Sequence, residues 1–385
     1  MQNFTYYSPT RIHFGEGQIK KLRSDITKNE KVLLTYGGGS IKRNGVLDQV
    51  YAALSGYQIH EFGGIEPNPS YETLMKAVSY ARYHGITYLL AVGGGSVVDG
   101  TKFIAAAVPY QGETWDIITQ HGNNIEKALP LSCVMTLPAT GSETNSVAVI
   151  SRKQTQDKQA FASPHVYPRS AILDPTTTYS LPPRQTANGV VDAFIHILEQ
   201  YLTYPVNALV QDEYAEGLLR ILIKEGPKAL ATPEDYDTRA NIMWVATQAL
   251  SGILGVGVPQ DWATHALGHE LTALHGLDHA QTLAIVLPAL LHEKKQTKYD
   301  KLIQYAQKVW GINQGSDAFK IDTAINETRN FFEQMGLRTR LSDFKISEAD
   351  IPALVQKLKE HGQTALGERQ DITLEISERI YTAAI

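Results

Sequence analysis

The sequence predicts a two-domain chain, an α/β domain followed by an all-helical one, on three observations. Its 385 residues exceed what one hydrophobic core usually serves, about 250–300 residues. Roughly the first 180 residues alternate short apolar runs with helical patterns. Beyond them the pattern is almost continuously helical. Leu181-Pro182-Pro183 interrupts the chain where the character changes, so the boundary is placed at residue 180, giving domains 1–180 and 181–385.

The elements follow in order. Lys31 to Tyr36 reads as a buried strand running into Gly37-Gly38-Gly39-Ser40, and Tyr88 to Val92 as a second running into Gly93-Gly94-Gly95-Ser96. Between them, Leu74, Ala77, Val78 and Ala81 recur at helical spacing and Gly85 stops the helix. Strand, helix and strand at this separation imply a parallel, Rossmann-like sheet. Ser132 to Leu137 and Ala171 to Leu173 are further strands, the former entering Pro138-Ala139-Thr140-Gly141-Ser142-Glu143. Helices are expected from near Thr186, over 208–224, 237–252, 262–274 and 280–294, and in several amphipathic segments to the end.

Each glycine triplet directly follows a strand. Without Cβ atoms the backbone approaches a phosphate closely and presents its N–H groups, and the helix expected after Gly95 adds a positive N-terminal end. Two such turns at the C-terminal edge of one parallel sheet favour a bound nucleotide over two empty tight turns. Neither is Gly-x-Gly-x-x-Gly. The loop Gly37-Gly38-Gly39-Ser40-Ile41-Lys42-Arg43 carries no acid to hold ribose hydroxyls, and its two cations favour a phosphorylated ribose, hence NADP(H) over NAD(H).

Four of the 12 histidines, His265, His269, His275 and His279, fall within fifteen residues. His265 and His269 are four apart in a helical context and share a face. Asp192 and His196 repeat that spacing upstream, flanked by Val190, Val191, Ala193, Phe194, Ile195 and Ile197. An isolated Asp-x-x-x-His is usually a surface pair, but a carboxylate on so apolar a helix is costly unless engaged. Two such faces meeting would give a closed nitrogen and oxygen site for a first-row metal. His269-Glu270 followed by His275 is not the His-Glu-x-x-His of zinc peptidases, which removes the main support for a metallohydrolase.

Composition bounds the rest. With 35 basic against 40 acidic residues, a net charge of -5 gives no footprint for nucleic acid. The lone cysteine, Cys133, excludes an intrachain disulfide, reads as an inert core residue and fits a reducing cytoplasm. No apolar run reaches membrane-spanning length. Lys294, Lys295 and Lys298 read as a solvated face.

Taken together, the glycine turns, the Pro-Ala-Thr-Gly-Ser-Glu turn, Asp192-x-x-x-His196, His265 and His279 give the chain a resemblance, over essentially its whole length, to the iron-containing (group III) alcohol dehydrogenases. Thr35 to Ser40, Glu61-Phe62-Gly63-Gly64-Ile65-Glu66-Pro67-Asn68-Pro69 and Val258-Pro259-Gln260-Asp261-Trp262-Ala263-Thr264-His265 are similar to the YqhD-type NADPH-dependent aldehyde reductases and butanol dehydrogenases.

The resemblance implies the dehydroquinate synthase-like fold, an active site in the cleft between the domains and a homodimer. It implies metal ligands at Asp192, His196, His265 and His279 for one Fe²⁺ or Zn²⁺. It places Gly94, Gly95 and Ser96 on the diphosphate with Asp99 behind them. Gly37, Gly38, Gly39, Ser40, Asn68, Thr136, Thr140, Val149, Lys158 and Tyr179 fall at further cofactor positions. His269 matches a histidine near nicotinamide and substrate, and is the candidate proton relay. Many members have His-Gly where this chain has His279-Ala280, so His269, His275 and His279 compete for the last ligand place. The implied activity is reduction of short and medium-chain aldehydes to primary alcohols. An NAD-dependent polyol dehydrogenase or a dehydroquinate-synthase-like lyase of the same fold is the nearest alternative. A metal-dependent hydrolase and a non-catalytic nucleotide-binding subunit stand further off.

Overall fold

The computed structural model describes residues 1–385, which form two compact units. One consists of Tyr7–Pro182 with Pro233–Thr247, the other of Met1–Tyr6, Pro183–Thr232 and Gln248–Ile385.

The first unit is built on a six-stranded, wholly parallel sheet of β1 (Arg11–Phe14), β2 (Lys31–Thr35), β3 (Gln58–Phe62), β4 (Tyr88–Gly94), β5 (Leu131–Leu137) and β8 (Ser170–Leu173), in the order β1-β8-β5-β4-β2-β3. A separate antiparallel hairpin pairs β6 (Val147–Arg152) with β7 (Asp157–Ala162). Side chains alternate across the strands, so Leu33, Leu89, Ala91, Cys133 and Met135 serve one core, and Val32, Leu34, Leu90, Val92 and Val134 the other. The first core receives helices α2 (Tyr71–His84) and α3 (Gly95–Ala107), the second α1 (Val46–Ala53).

From β2 the chain moves outward to β3, whereas from β4 it moves the other way to β5. The sheet therefore reverses direction between β2 and β4, where open α/β sheets take their ligands. Both glycine triplets lie at this point. The expected strand, helix, strand link from β2 to β4 is longer than the sequence suggested, because β3 lies within it. Gln58–Phe62 is an edge strand, only partly buried on both faces, and lacks the apolar run by which the central strands are recognised.

The division at residue 180 differs from the contacts in two respects: Met1–Tyr6 belongs to the helical unit, and Pro233–Thr247 to the α/β unit. Helix α6 (Tyr236–Ala249) lies far along the chain, yet its residues up to Thr247 belong to the α/β unit. Met243 enters the sheet's first core, Trp244 packs edge-on against Phe14, and Thr247 Oγ1 donates to Glu143 Oε1 at 2.6 Å.

The second unit contains α4 (Pro183–Tyr201), α5 (Leu209–Ala231), α7 (Ala263–His275), α8 (His279–Glu293), α9 (Tyr299–Lys308), α10 (Asp317–Gln334), α11 (Ile351–Glu360) and α12 (Leu374–Ala383). It departs from all-helical only by a two-residue pairing of Ala365–Leu366 with Ile372–Thr373. Helix α4 is its axis, with every residue from Val190 to Tyr201 buried. Gly268 lets α7 and α8 approach closely, since a Cβ there would lie 2.8 Å from Thr282 Oγ1. No helix is long and apolar enough to cross a membrane.

Candidate metal centre and nucleotide loops

Helix α4 presents Asp192, His196 and Glu199 at i, i+4 and i+7, a polar stripe whose neighbours from Val190 to Leu198 are all apolar. Asp192 Oδ1 lies 3.6 Å from His196 Nε2, 3.9 Å from His265 Nε2 and 3.6 Å from His279 Nε2. One ligand atom from each of these four residues falls within 4.8 Å of the others. Asp192 is 3% exposed, yet Oδ1 has no hydrogen-bond partner. A buried carboxylate oxygen facing three imidazoles is costly as it stands, and a divalent cation would satisfy it. The donor set of one oxygen and three nitrogens suits Fe²⁺ and Zn²⁺ alike.

The supporting residues fix how these side chains point. Glu199 accepts from Thr264 N at 2.6 Å and hydrogen-bonds His265 Nδ1, so it holds both the first turn of α7 and the ring it carries. With the proton on Nδ1, the Nε2 lone pair of His265 is directed at the group. Burial, then the nearby Asp261, raises the Glu199 carboxyl, and the Thr264 N–H opposes that shift by favouring the carboxylate. The Pro259-Gln260-Asp261-Trp262 turn sets where α7 begins. Trp262 adopts φ 60°, Asp261 Oδ1 accepts from Ala263 N at 3.1 Å, and Gln260 Oε1 accepts from Trp262 Nε1 at 2.8 Å. Asp278, before α8, accepts from Asn188 at 3.0 Å and pairs with Arg184 at 2.5 Å, which ties the start of that helix to α4 and places His279. Glu199→Gln should weaken metal binding about 10–100-fold with little change in fold, measured by competition with a chromophoric chelator.

His269 stands beside the group, its ring centroid 5.5 Å from that of His279 and 6.3 Å from that of His265. His275 ends α7 and is not part of the group, so of the three competing histidines only His279 joins Asp192, His196 and His265.

In the α/β unit the glycines divide by purpose. A Cβ at Gly38 or Gly39 would meet nothing within 4 Å, so the loop after β2 is open on that side. At Gly95 a Cβ would lie 2.3 Å from Thr140 Oγ1, so this glycine is required by packing of the Thr140 turn on α3. Helix α3 begins at Gly95 with no side-chain cap, leaving its first N–H groups to an anion. Open backbone at one turn and an uncapped 13-residue helix at the next suit a diphosphate.

Asn68 adopts φ 53° and its N–H donates to Ser96 Oγ at 3.3 Å, joining the β3 loop to the α3 turn. Asp99 is committed within the protein, accepting from Ser142 Oγ at 2.5 Å and Val149 N at 2.9 Å. Lys102, fully buried, donates to Ser142 Oγ at 2.8 Å, Asn145 Oδ1 at 3.0 Å and Val147 O at 2.7 Å. Thr136 is the penultimate residue of β5 and Lys158 lies buried on β7. Tyr179 lines a polar cleft with Asn44, Gln49 and Glu234.

Comparison with known proteins agrees with this arrangement at both ends of the chain. Residues 9–175 match the family described as iron-containing alcohol dehydrogenase, and residues 186–385 match the C-terminal part of the Fe-containing alcohol dehydrogenase family. The chain belongs to the iron-containing alcohol dehydrogenases. Among relatives, it is 63% identical over 386 residues to the NADPH-dependent aldehyde reductase YqhD of Escherichia coli K12, covering 100% of both chains. A crystal structure of E. coli K-12 YqhD superposes with a TM-score of 0.99, covering 100% of this chain and 99% of that one, again at 63% identity. The NADH-dependent butanol dehydrogenase A of Thermotoga maritima superposes with a TM-score of 0.95 at 36% identity, covering 100% and 99%.

As an iron-containing alcohol dehydrogenase, the chain uses one lysine in a way its sequence misstates. Lys298 is not on a solvated face. It is 3% exposed and pairs with Asp261 at 2.8 Å and Glu368 at 2.9 Å, bracing the turn that starts α7. Lys294 is likewise buried against Asp371, and only Lys295 of the three meets solvent substantially. Glu199 and Asp278 carry no role in the sequence analysis, and Lys298 stands there on a solvated face. Only Glu199 carried a signal, its i+7 spacing from Asp192.

Proposed function

We propose that this chain is an NADPH-dependent, metal-dependent reductase of short and medium-chain aldehydes to primary alcohols. One observation carries the reading: a buried carboxylate oxygen without a hydrogen-bond partner, met by three imidazoles, in a chain 63% identical throughout to an NADPH-dependent aldehyde reductase. Asp192, His196, His265 and His279 would hold one Fe²⁺ or Zn²⁺. Gly37, Gly38, Gly39, Ser40, Asn68, Gly94, Gly95 and Ser96 would receive the cofactor, with Thr136, Thr140, Val149, Lys158 and Tyr179 around it and Asp99 shaping the turn from behind.

When bound, the ion supplies Lewis acidity toward the carbonyl, and the reduced nicotinamide supplies hydride. The protein's own work is orientation and proton supply. Glu199 keeps the His265 proton on Nδ1, and Asp278 and Gly268 bring His279 to the group. Addition of hydride to the carbonyl carbon leaves the product oxygen needing a proton, and the His269 imidazole is the relay we assign to it. His269→Ala should lower kcat about 10²-fold or more with metal content unchanged, read by steady-state kinetics beside elemental analysis. Metal loss in that variant would make His269 a ligand instead.

The test of the whole reading is oxidation of NADPH by butanal, with metal-stripped protein as control and Fe²⁺ or Zn²⁺ added back separately. No turnover with either ion, or a lower KM for NADH than for NADPH, would overturn it. The exposed Phe4 and Tyr7 near the N-terminus support a homodimer, and the single, buried Cys133, its thiol pKa pushed well up by burial, suits a reducing cytoplasm.

A further inference from the structure

The loop of Lys42 and Arg43 has no acid of its own, but the fold brings one to it. Glu61 lies on β3, opposite Leu34 of β2, one residue before the end of its strand. Lys42 Nζ donates to Glu61 Oε2 at 2.9 Å, Tyr36 OH donates to the same oxygen at 3.1 Å, and Tyr51 OH donates to Oε1. The Lys42 ammonium also sits 4.8 Å from the centroid of the Tyr36 ring. That ring packs against Gly63, where a Cβ would come within 2.4 Å of it. Hydrogen bonds from Tyr51 and Lys42 hold the Glu61 carboxyl below its usual range, so it is an anion at neutral pH. Arg43 is exposed and makes no ion pair.

Three donors on one carboxylate at the mouth of an open glycine loop make a built cluster. Its charge consequence is specific. The two cations that would favour a 2′-phosphate are reduced to one net positive charge, because Lys42 already has a counterion. A 2′-phosphate entering this region competes with Glu61 for Lys42 and meets its negative charge. A ribose with free hydroxyls meets no such penalty.

We propose that Glu61 is a cofactor-specificity residue that limits the preference for a 2′-phosphorylated ribose by holding Lys42 as an ion pair. The proposal rests on the NADPH reading above. Tyr36 and Tyr51 are the positioning residues that keep the carboxylate turned toward Lys42.

The experiment uses calorimetric dissociation constants for NADP⁺ and NAD⁺, and for adenosine 2′,5′-bisphosphate and 5′-AMP, on the full-length protein. Glu61→Gln keeps the hydrogen-bonding shape and removes the charge. It should raise the NADP⁺ to NAD⁺ affinity ratio about threefold or more, with the same shift for the adenosine pair, and the gain should shrink as salt is added. Lys42→Met should lower the ratio, and by a larger factor in the Glu61→Gln background than in the parent. An unmoved or reduced ratio in Glu61→Gln would overturn the proposal; a reduced one would mean that Glu61 presents Lys42 to the phosphate. Parent protein that binds neither dinucleotide defeats the NADPH reading itself, an outcome visible before any variant is made.

Discussion

Asp192→Asn should purify without its metal and lose roughly a thousandfold or more in aldehyde reduction, while still binding NADP⁺. Asp192 is the one anion among the four gathered side chains, and all three imidazoles measure 3.6–3.9 Å to its Oδ1. An amide keeps the shape but removes the charge, and it places an NH₂ group or a weaker oxygen against three nitrogens. Lewis-acid stabilisation is worth several kcal/mol, and about 4 kcal/mol corresponds to the thousandfold loss. Elemental analysis beside steady-state kinetics checks it. Full metal occupancy in the variant would remove Asp192 from the ligand set. Retained NADP⁺ binding is part of the expectation, because the glycine turns belong to a unit that does not contain Asp192.

Lys102→Met should destabilise the protein by about 3–5 kcal/mol, the usual result of removing one partner from a buried charged network. Lys102 has no solvent exposure and its three donors are all used. Burial lowers its ammonium to about 8, with Asp99 opposing that shift, so the site tolerates the cation because of its neighbours. Methionine has a similar length but donates nothing. Asn145 Oδ1 loses a donor, and Ser142, which also donates to Asp99, loses its anchor. Weaker NADP⁺ binding should accompany the lower melting temperature, since this network joins α3 to the Thr140–Glu143 turn and the β6 strand. A variant that melts with the parent would show the network to be dispensable.

Much of this was legible in the sequence because the signals were local. A strand followed by three glycines, or Asp and His four apart on an apolar helix, declares itself within a dozen residues. The ligand group illustrates the boundary. Spacing proposed the pairs Asp192 with His196 and His265 with His269, the resemblance named His279 in competition with His269 and His275, and the packing of α7 on α8 at Gly268 brings His279 into the group. Lys298 was misread for the same reason: a lysine among lysines looks solvated, and its partners Asp261 and Glu368 lie 37 residues before it and 70 after it. β3 escaped notice because half-buried edge strands need no apolar run. The ribose loop was read as carrying two free cations, since nothing in Gly37 to Arg43 reveals that Glu61 sits beside Lys42.

Helix α6 limits how this protein can be divided. The α/β unit does not end where its continuous stretch ends; it takes back Pro233–Thr247 after the chain has already formed two helices of the other unit. A fragment cut at Pro182 would expose the core face that Met243 covers, leave Phe14 without Trp244, and leave Glu143 without the hydroxyl of Thr247. Exchange of the whole α/β unit between relatives therefore requires four junctions in the gene, two flanking Tyr7–Pro182 and two flanking Pro233–Thr247. During synthesis, the α/β unit cannot complete its core until well over half the chain has been made.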